Sequence, residues 1–150
     1  LSYARLTKYS QDSDSTYHEA CRTIFKAMNA HPDMVAGTGE FCTELMQHTN
    51  GKLIAKIGAE AVYCLGIKEK SLGVCIKIAD GSERAVYPVI IQLLLELDVI
   101  DKNEYEKLKH WHMTKLVNGL DEHIGYIIPV FQKDEILSLG SRVDINNKDL

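Results

Sequence analysis

Long hydrophobic runs are missing from this sequence. No apolar stretch approaches the roughly 18 residues that a membrane-spanning helix needs, and the polar N-terminus does not resemble a signal peptide. Runs of Lys or Arg are missing too. With a formal net charge of -4 over 150 residues, the chain is poorly suited to a nucleic-acid or anionic-membrane surface as its main partner, and a small molecule is the expected ligand. These absences point to a cytoplasmic protein. Cysteine is sparse, and Cys21, Cys42, Cys64 and Cys75 show no CxxC or other metal-ligand spacing. They are read as thiols, because four cysteines in a chain of this length do not make a disulfide scaffold. Leu1 stands where an initiating Met would, which is compatible with a fragment or a processed product.

What is present is enough for one globular domain: 45% of the 150 residues are hydrophobic, a usual content for a chain that builds a single core. After the polar connector "KYSQDSDS" (8–15), Thr16 and Glu19 have capping-box spacing ahead of Tyr17, Ala20, Ile24, Phe25 and Met28, predicting a helix over 16–29. "HPDMVAGTG" (31–39) reads as a loop. A short helix over 40–48 follows, with Phe41, Leu45 and Met46 facing the core. Asn50-Gly51 ends it, and strand-like runs at 52–57, 61–67 and 72–79 predict an antiparallel meander. The four-residue connector "KEKS" (68–71) pairs Ile67 with Leu72, so Cys64 should fall opposite Cys75.

Past "DGS" (80–82), Ser82 is a plausible N-cap for a helix with Val86, Val89, Ile90, Leu93, Leu94 and Leu97 on its apolar face, kinked in its first half by Pro88. Asp101 and Glu104 mark a second start, for a helix over 102–117. "NGLDEHIGYIIPVF" (118–131) returns to loop and strand, and "NNKDL" (146–150) reads as a frayed end. The fold class is therefore α+β, helices packed on an antiparallel sheet.

Lys56 poses the chemical question. It lies in the apolar stretch "KLIAKIGAEAVYCLGI" (52–67), and a buried ammonium is costly without a partner or a use. On an edge strand, Gly58 would leave room for a ligand beside it, and a lysine of lowered pKa could take a proton from a serine. The bland alternative is a lysine that snorkels to water, and spacing alone favours it. His110 and His112 in "HWHM" do not share a helix face, which disfavours a metal site there. His18, His31, His48 and His123 have no ligand spacing. Glu19, Glu40, Glu44 and Glu60 could serve as acids or bases, although solvated or capping carboxylates are commoner. Cys42, near a helix N-terminus behind two glycines, is the cysteine best placed for a lowered pKa.

Taken together, "AHPDMVAGTGEFCTELM" (30–46), "GKLIAKIGAEAVYCLGI" (51–67) and "LGVCIKIADGSERA" (72–85) resemble the C-terminal part of the bacterial asparaginase II family, the Rhizobium-type asparaginases. The likeness covers residues 1–100 well and loosens beyond about 105. It implies a serine β-lactamase/glutaminase-like fold and hydrolysis of L-asparagine to aspartate and ammonia, with two Ser-Lys pairs near a zinc ion. By resemblance, Lys56 matches the lysine of the second pair, Cys42 and Gly58 line the site, and the backbone N–H of Ala59 points to the oxyanion. Ile57 replaces a hydroxyl residue usual between that Lys and Gly, so this position lacks the hydroxyl that would bind the substrate carboxylate.

No serine here is followed three residues later by Lys, and the family's zinc-binding Cys-x-x-Lys is also missing. The resemblance thus implies that residues 1–150 are the C-terminal portion of a catalytic domain whose N-terminal half, the expected partner, supplies the serines and the zinc. This portion alone is expected to be inactive and to bind no zinc. A homodimer stays open, as do a non-enzymatic remnant serving as a binding domain and an amidohydrolase acting on another amide such as glutamine.

Overall fold

A computed structural model describes residues 1–131. The expected frayed end at 146–150 lies outside the described residues. Four helices come first: α1 (Ser2–Tyr9), α2 (His18–Ala30), α3 (Pro32–Ala36) and α4 (Phe41–His48). They are followed by β1 (Leu53–Gly58), β2 (Val62–Ile67) and β3 (Leu72–Lys77), then α5 (Val86–Glu96), α6 (Lys102–His112) and a hairpin of β4 (Thr114–Val117) and β5 (His123–Ile127). The class is α+β, antiparallel sheets flanked by helices.

β1, β2 and β3 form a meander in that order, with β1 at one edge. Its register pairs Ile67 with Leu72 and Cys64 with Cys75, as the four-residue connector predicts. Antiparallel partners share a sheet face, so each row of partners belongs to one side. Leu53 and Ala55, with Tyr63, Leu65 and Ile67, join Phe41, Leu45, Ile90, Ile91, Leu94 and Leu108 in the apolar core. On the other side runs the row Ile54, Gly66, Gly73, and α1 lies against it. A Cβ on Gly73 would come within 2.5 Å of the Ala4 backbone nitrogen, and one on Gly66 within 2.6 Å of Thr7 Cγ2. Only glycine allows a helix this close.

Several boundaries differ from the sequence expectation. α2 begins at His18 and has no side-chain cap at its N-cap, Tyr17. Ser15 Oγ instead accepts from the Tyr17 N–H at 3.2 Å, and the Ser15 carbonyl accepts from His18. This local turn replaces the predicted Thr16–Glu19 box. Along this segment Phe25 is buried while Tyr17 and Ile24 are exposed. Within the expected loop 31–39, Pro32 opens the short helix α3 at its first turn, where a missing N–H costs nothing.

Ser82 makes no side-chain cap; Asp80 Oδ1 accepts its N–H at 2.9 Å, and a 3-10 turn over Glu83–Ala85 leads into α5. Pro88 then falls in the first turn of α5, where its lack of an N–H removes no interior bond. Asp101 and Glu104 do form the predicted capping box. The helix they start ends at His112, not 117, because Thr114–Val117 pairs across a turn with His123–Ile127.

Candidate functional site

Lys56 sits on the edge strand in a row that continues through Cys64 on β2 to Cys75 on β3. Strand alternation decides its surroundings. Leu53 and Ile57 belong to the opposite face from Lys56, and Ile54, on its own face, is buried where α1 packs. Lys56 is exposed. The expectation that apolar flanks bury this lysine is therefore corrected, since an apolar run along the sequence is divided between two sheet faces.

Gly58 ends β1 and is exposed, and among the described residues an added Cβ there would meet nothing closer than 3.7 Å. Ala59 opens a 3-10 turn, after which Glu60 and Ala61 take left-handed backbone angles, with φ of 55° and 56°. Two consecutive non-glycine residues there cost about 1 kcal/mol or more each. The turn is held from β3 and beyond. Lys77 Nζ donates to the Glu60 carbonyl, and the Ile78 N–H donates to the Ala61 carbonyl at 3.1 Å.

Cys42 belongs to a different layer. It lies in the first turn of α4 and is 1% exposed. The loop before α4 needs its glycines, since Gly37 and Gly39 have φ of 106° and 78°. Thr43 Oγ1 then donates toward the carbonyls of Pro32, at 3.0 Å, and Gly37, at 2.6 Å, fastening the loop to the helix. Beside Cys42 stands Tyr63, whose hydroxyl is buried without a well-formed hydrogen bond. Burial, then the Cys42 thiol, pushes the Tyr63 phenol well above its ordinary pKa. Tyr3 is raised by burial first and then by Cys64 and Cys42.

The candidate carboxylates separate. Glu19 pairs with Arg22 at 2.6 Å, Glu40 is exposed just ahead of α4, and Glu60 is exposed with its carboxylate 4.0 Å from Lys77 Nζ. Glu44 is half-buried and bound to side chains of another helix. Its Oε2 accepts from Trp111 Nε1 at 2.7 Å and lies 3.0 Å from His110 Nε2. Around it Phe41, Tyr87 and Trp111 pack ring against ring, with centroids 4.6 to 5.3 Å apart. Burial and the Glu83 carboxylate push Tyr87 up to about 12.

His112 turns elsewhere, with Nδ1 3.1 Å from the Tyr105 hydroxyl and Nε2 3.1 Å from Gln92 Oε1. Neither this network nor that of Glu44 is evident in the sequence, because Gln92 lies 20 residues from His112 and Glu44 lies 67 from Trp111. Clefts of about 470 Å³, bordered by Tyr87, His110 and Trp111, and about 730 Å³, bordered by Phe25, Met46 and Lys68, are lined by none of Lys56, Gly58, Ala59 or Cys42.

The zinc implied by resemblance does not fit these residues. Among the described residues no group of three or more His, Cys, Asp or Glu could hold a metal ion. His110 and His112 are committed to different partners, and Cys42 is buried beside a phenol. No helix among the described residues is long and apolar enough to cross a membrane.

An α+β domain with a lysine on its open sheet edge, a Gly-Thr-Gly loop and a buried cysteine at the following helix is the class defined so far. The chain belongs to the L-asparaginase II family, whose model matches residues 1–129. The match continues through α6 and the β4–β5 hairpin, beyond the point near 105 where the sequence likeness loosens. At the level of the family, its function is of the asparaginase type. No curated protein matches the chain.

Proposed function

We propose that this chain is the lysine-bearing part of an amidohydrolase that converts L-asparagine to L-aspartate and ammonia by Ser-Lys catalysis, in a serine β-lactamase/glutaminase-like fold. The observation that supports this reading is the position of Lys56, exposed on the edge strand with Gly58 and Ala59 open beside it. A partner segment can cover that edge without displacing any of the core.

In this reading the serine is supplied by residues outside 1–150, since no Ser-x-x-Lys occurs here, and any zinc belongs to the same outside segment. Covering by that segment also takes Lys56, which its own chain leaves exposed, out of water, where a charged amine is costly. Neutral Lys56 takes the proton of the serine hydroxyl as the oxygen attacks the side-chain amide carbon. The Ala59 N–H donates to the oxygen on which negative charge develops. Ammonia leaves with a returned proton, and water cleaves the resulting ester to release aspartate. Cys42, a lining residue by resemblance, is buried on the core side of the sheet and takes no part in these steps.

Asparagine hydrolysis by the complete protein and by residues 1–150, measured side by side, tests the reading. Activity is expected only in the complete protein. Lys56→Arg keeps the charge but does not release its proton, so turnover should fall by at least about two orders of magnitude with an unchanged melting curve. Near-normal turnover in Lys56→Arg defeats the catalytic role.

A further inference from the structure

We propose that Cys64 and Cys75 are a thiol–disulfide site, joined reversibly by an intrachain bond across β2 and β3. The two are direct cross-strand partners, and their sulfurs already lie 3.7 Å apart as free thiols. Their register is fixed from outside the pair. Gly66 and Gly73, the next row on the same face, take α1 against their backbones. A slip by one residue would turn the cysteines to the other face and drive larger side chains into the helix. The thiols are thus held opposite each other, while Cys21 is on α2 and Cys42 is buried in the core.

Exposure sets the order of events. Cys75 is exposed and Cys64 half-buried, so Cys75 meets an oxidant first. With a low-molecular-weight disulfide as oxidant, the Cys75 thiolate attacks one of its sulfurs and expels one thiolate. That leaving group takes up the proton Cys75 gave up. Cys64, deprotonated in turn, attacks the Cys75 sulfur of the mixed disulfide. The Sγ–Sγ bond forms, the second small thiolate leaves and is protonated, and two electrons have passed from the cysteines to the oxidant. The sulfurs close from 3.7 Å to about 2.0 Å by side-chain rotation and a slight approach of the strands. With Cys75 exposed, the bond is of the accessible kind that is readily reduced again. Lys56 stands next in the row on β1, so the site adjoins the proposed base but does not depend on its function.

The test treats the purified protein with oxidised glutathione, alkylates the remaining thiols with iodoacetamide and maps the products by mass spectrometry. The expected result is a monomer without a carbamidomethyl group on Cys64 or Cys75, with a linked peptide joining the two that dithiothreitol dissolves. Cys21→Ser should leave that link unchanged, and Cys64→Ser should trap a glutathione adduct on Cys75. Recovery of both sulfurs as alkylated thiols after oxidation overturns the proposal, as does a stable adduct on Cys75 with Cys64 present, or a link joining two chains.

Discussion

Lys52 Nζ lies 2.6 Å from Glu104 Oε2, tying the residue before the edge strand to the first turn of α6. The same carboxylate oxygen accepts the Asp101 N–H at 2.8 Å, and the Lys52 amine also reaches the Val99 carbonyl at 3.3 Å. Glu104 is 6% exposed. Glu104→Ala removes half of a capping box and strands a partly buried amine. The expected loss is about 2–4 kcal/mol in urea unfolding, with Glu104→Gln losing less because an amide oxygen still accepts from Asp101.

Trp111 is the sole tryptophan of the sequence, so its indole reports directly on Glu44. Glu44→Ala leaves the indole N–H without its acceptor. We expect a shifted emission maximum and a loss of about 1–3 kcal/mol, the cost of an orphaned half-buried donor. Glu44→Gln retains an acceptor oxygen and should keep most of the native emission. Unchanged fluorescence in Glu44→Ala would contradict the 2.7 Å contact.

His112 should make stability depend on pH. Burial lowers its pKa from the ordinary 6.5, so the unfolded chain binds the proton more readily than the folded one. The contribution of this group is therefore fully present above the unfolded value, and is lost as pH falls from there through the folded value. The ring nitrogens meet the Tyr105 hydroxyl and the Gln92 amide, which in turn donates to Glu96 at 2.8 Å. Urea titrations across mildly acid pH should show a steeper decline for the native protein than for His112→Gln. Parallel curves for the two would refute the assignment.

Gly73→Ala should be costly although the side chain added is one methyl. The new carbon would overlap the Ala4 backbone, and a helix backbone cannot step aside as a flexible side chain does. A destabilisation of about 1–3 kcal/mol is expected, the range for overpacking. Gly58→Ala, with open surroundings at ordinary contact distance, is the control and should melt nearly as the native protein does.

The sheet was legible because its evidence is local. Alternation, a turn pair at Asn50-Gly51 and a four-residue connector together gave the pairing of Cys64 with Cys75. The Asp101–Glu104 cap was legible for the same reason. α1 left no such sign, since its reason for being there is a glycine row more than fifty residues away. Thr16 and Glu19 have correct cap spacing, but Ser15 captured the turn first. The site divided in the same manner. Lys56, Gly58, Ala59 and Cys42 could be singled out from motifs, whereas the exposure of Lys56 follows from which sheet face it occupies. The Glu44–Trp111 bond joins α4 to α6 and has no trace in either segment alone.

The seat of α1 on Gly66 and Gly73 also sets an order of assembly. Eight residues are too few to hold a helix in water without tertiary support, and the floor that supports α1 exists only after β2 and β3 have paired in register. Its contacts with the sheet are among the long loop closures of the fold, which are slow to form. The beginning of this chain therefore settles after its middle. In native-state hydrogen exchange, the amides of α1 should open at lower free energy than those of β2, so this helix is the last part of the described fold to be locked and the first to let go.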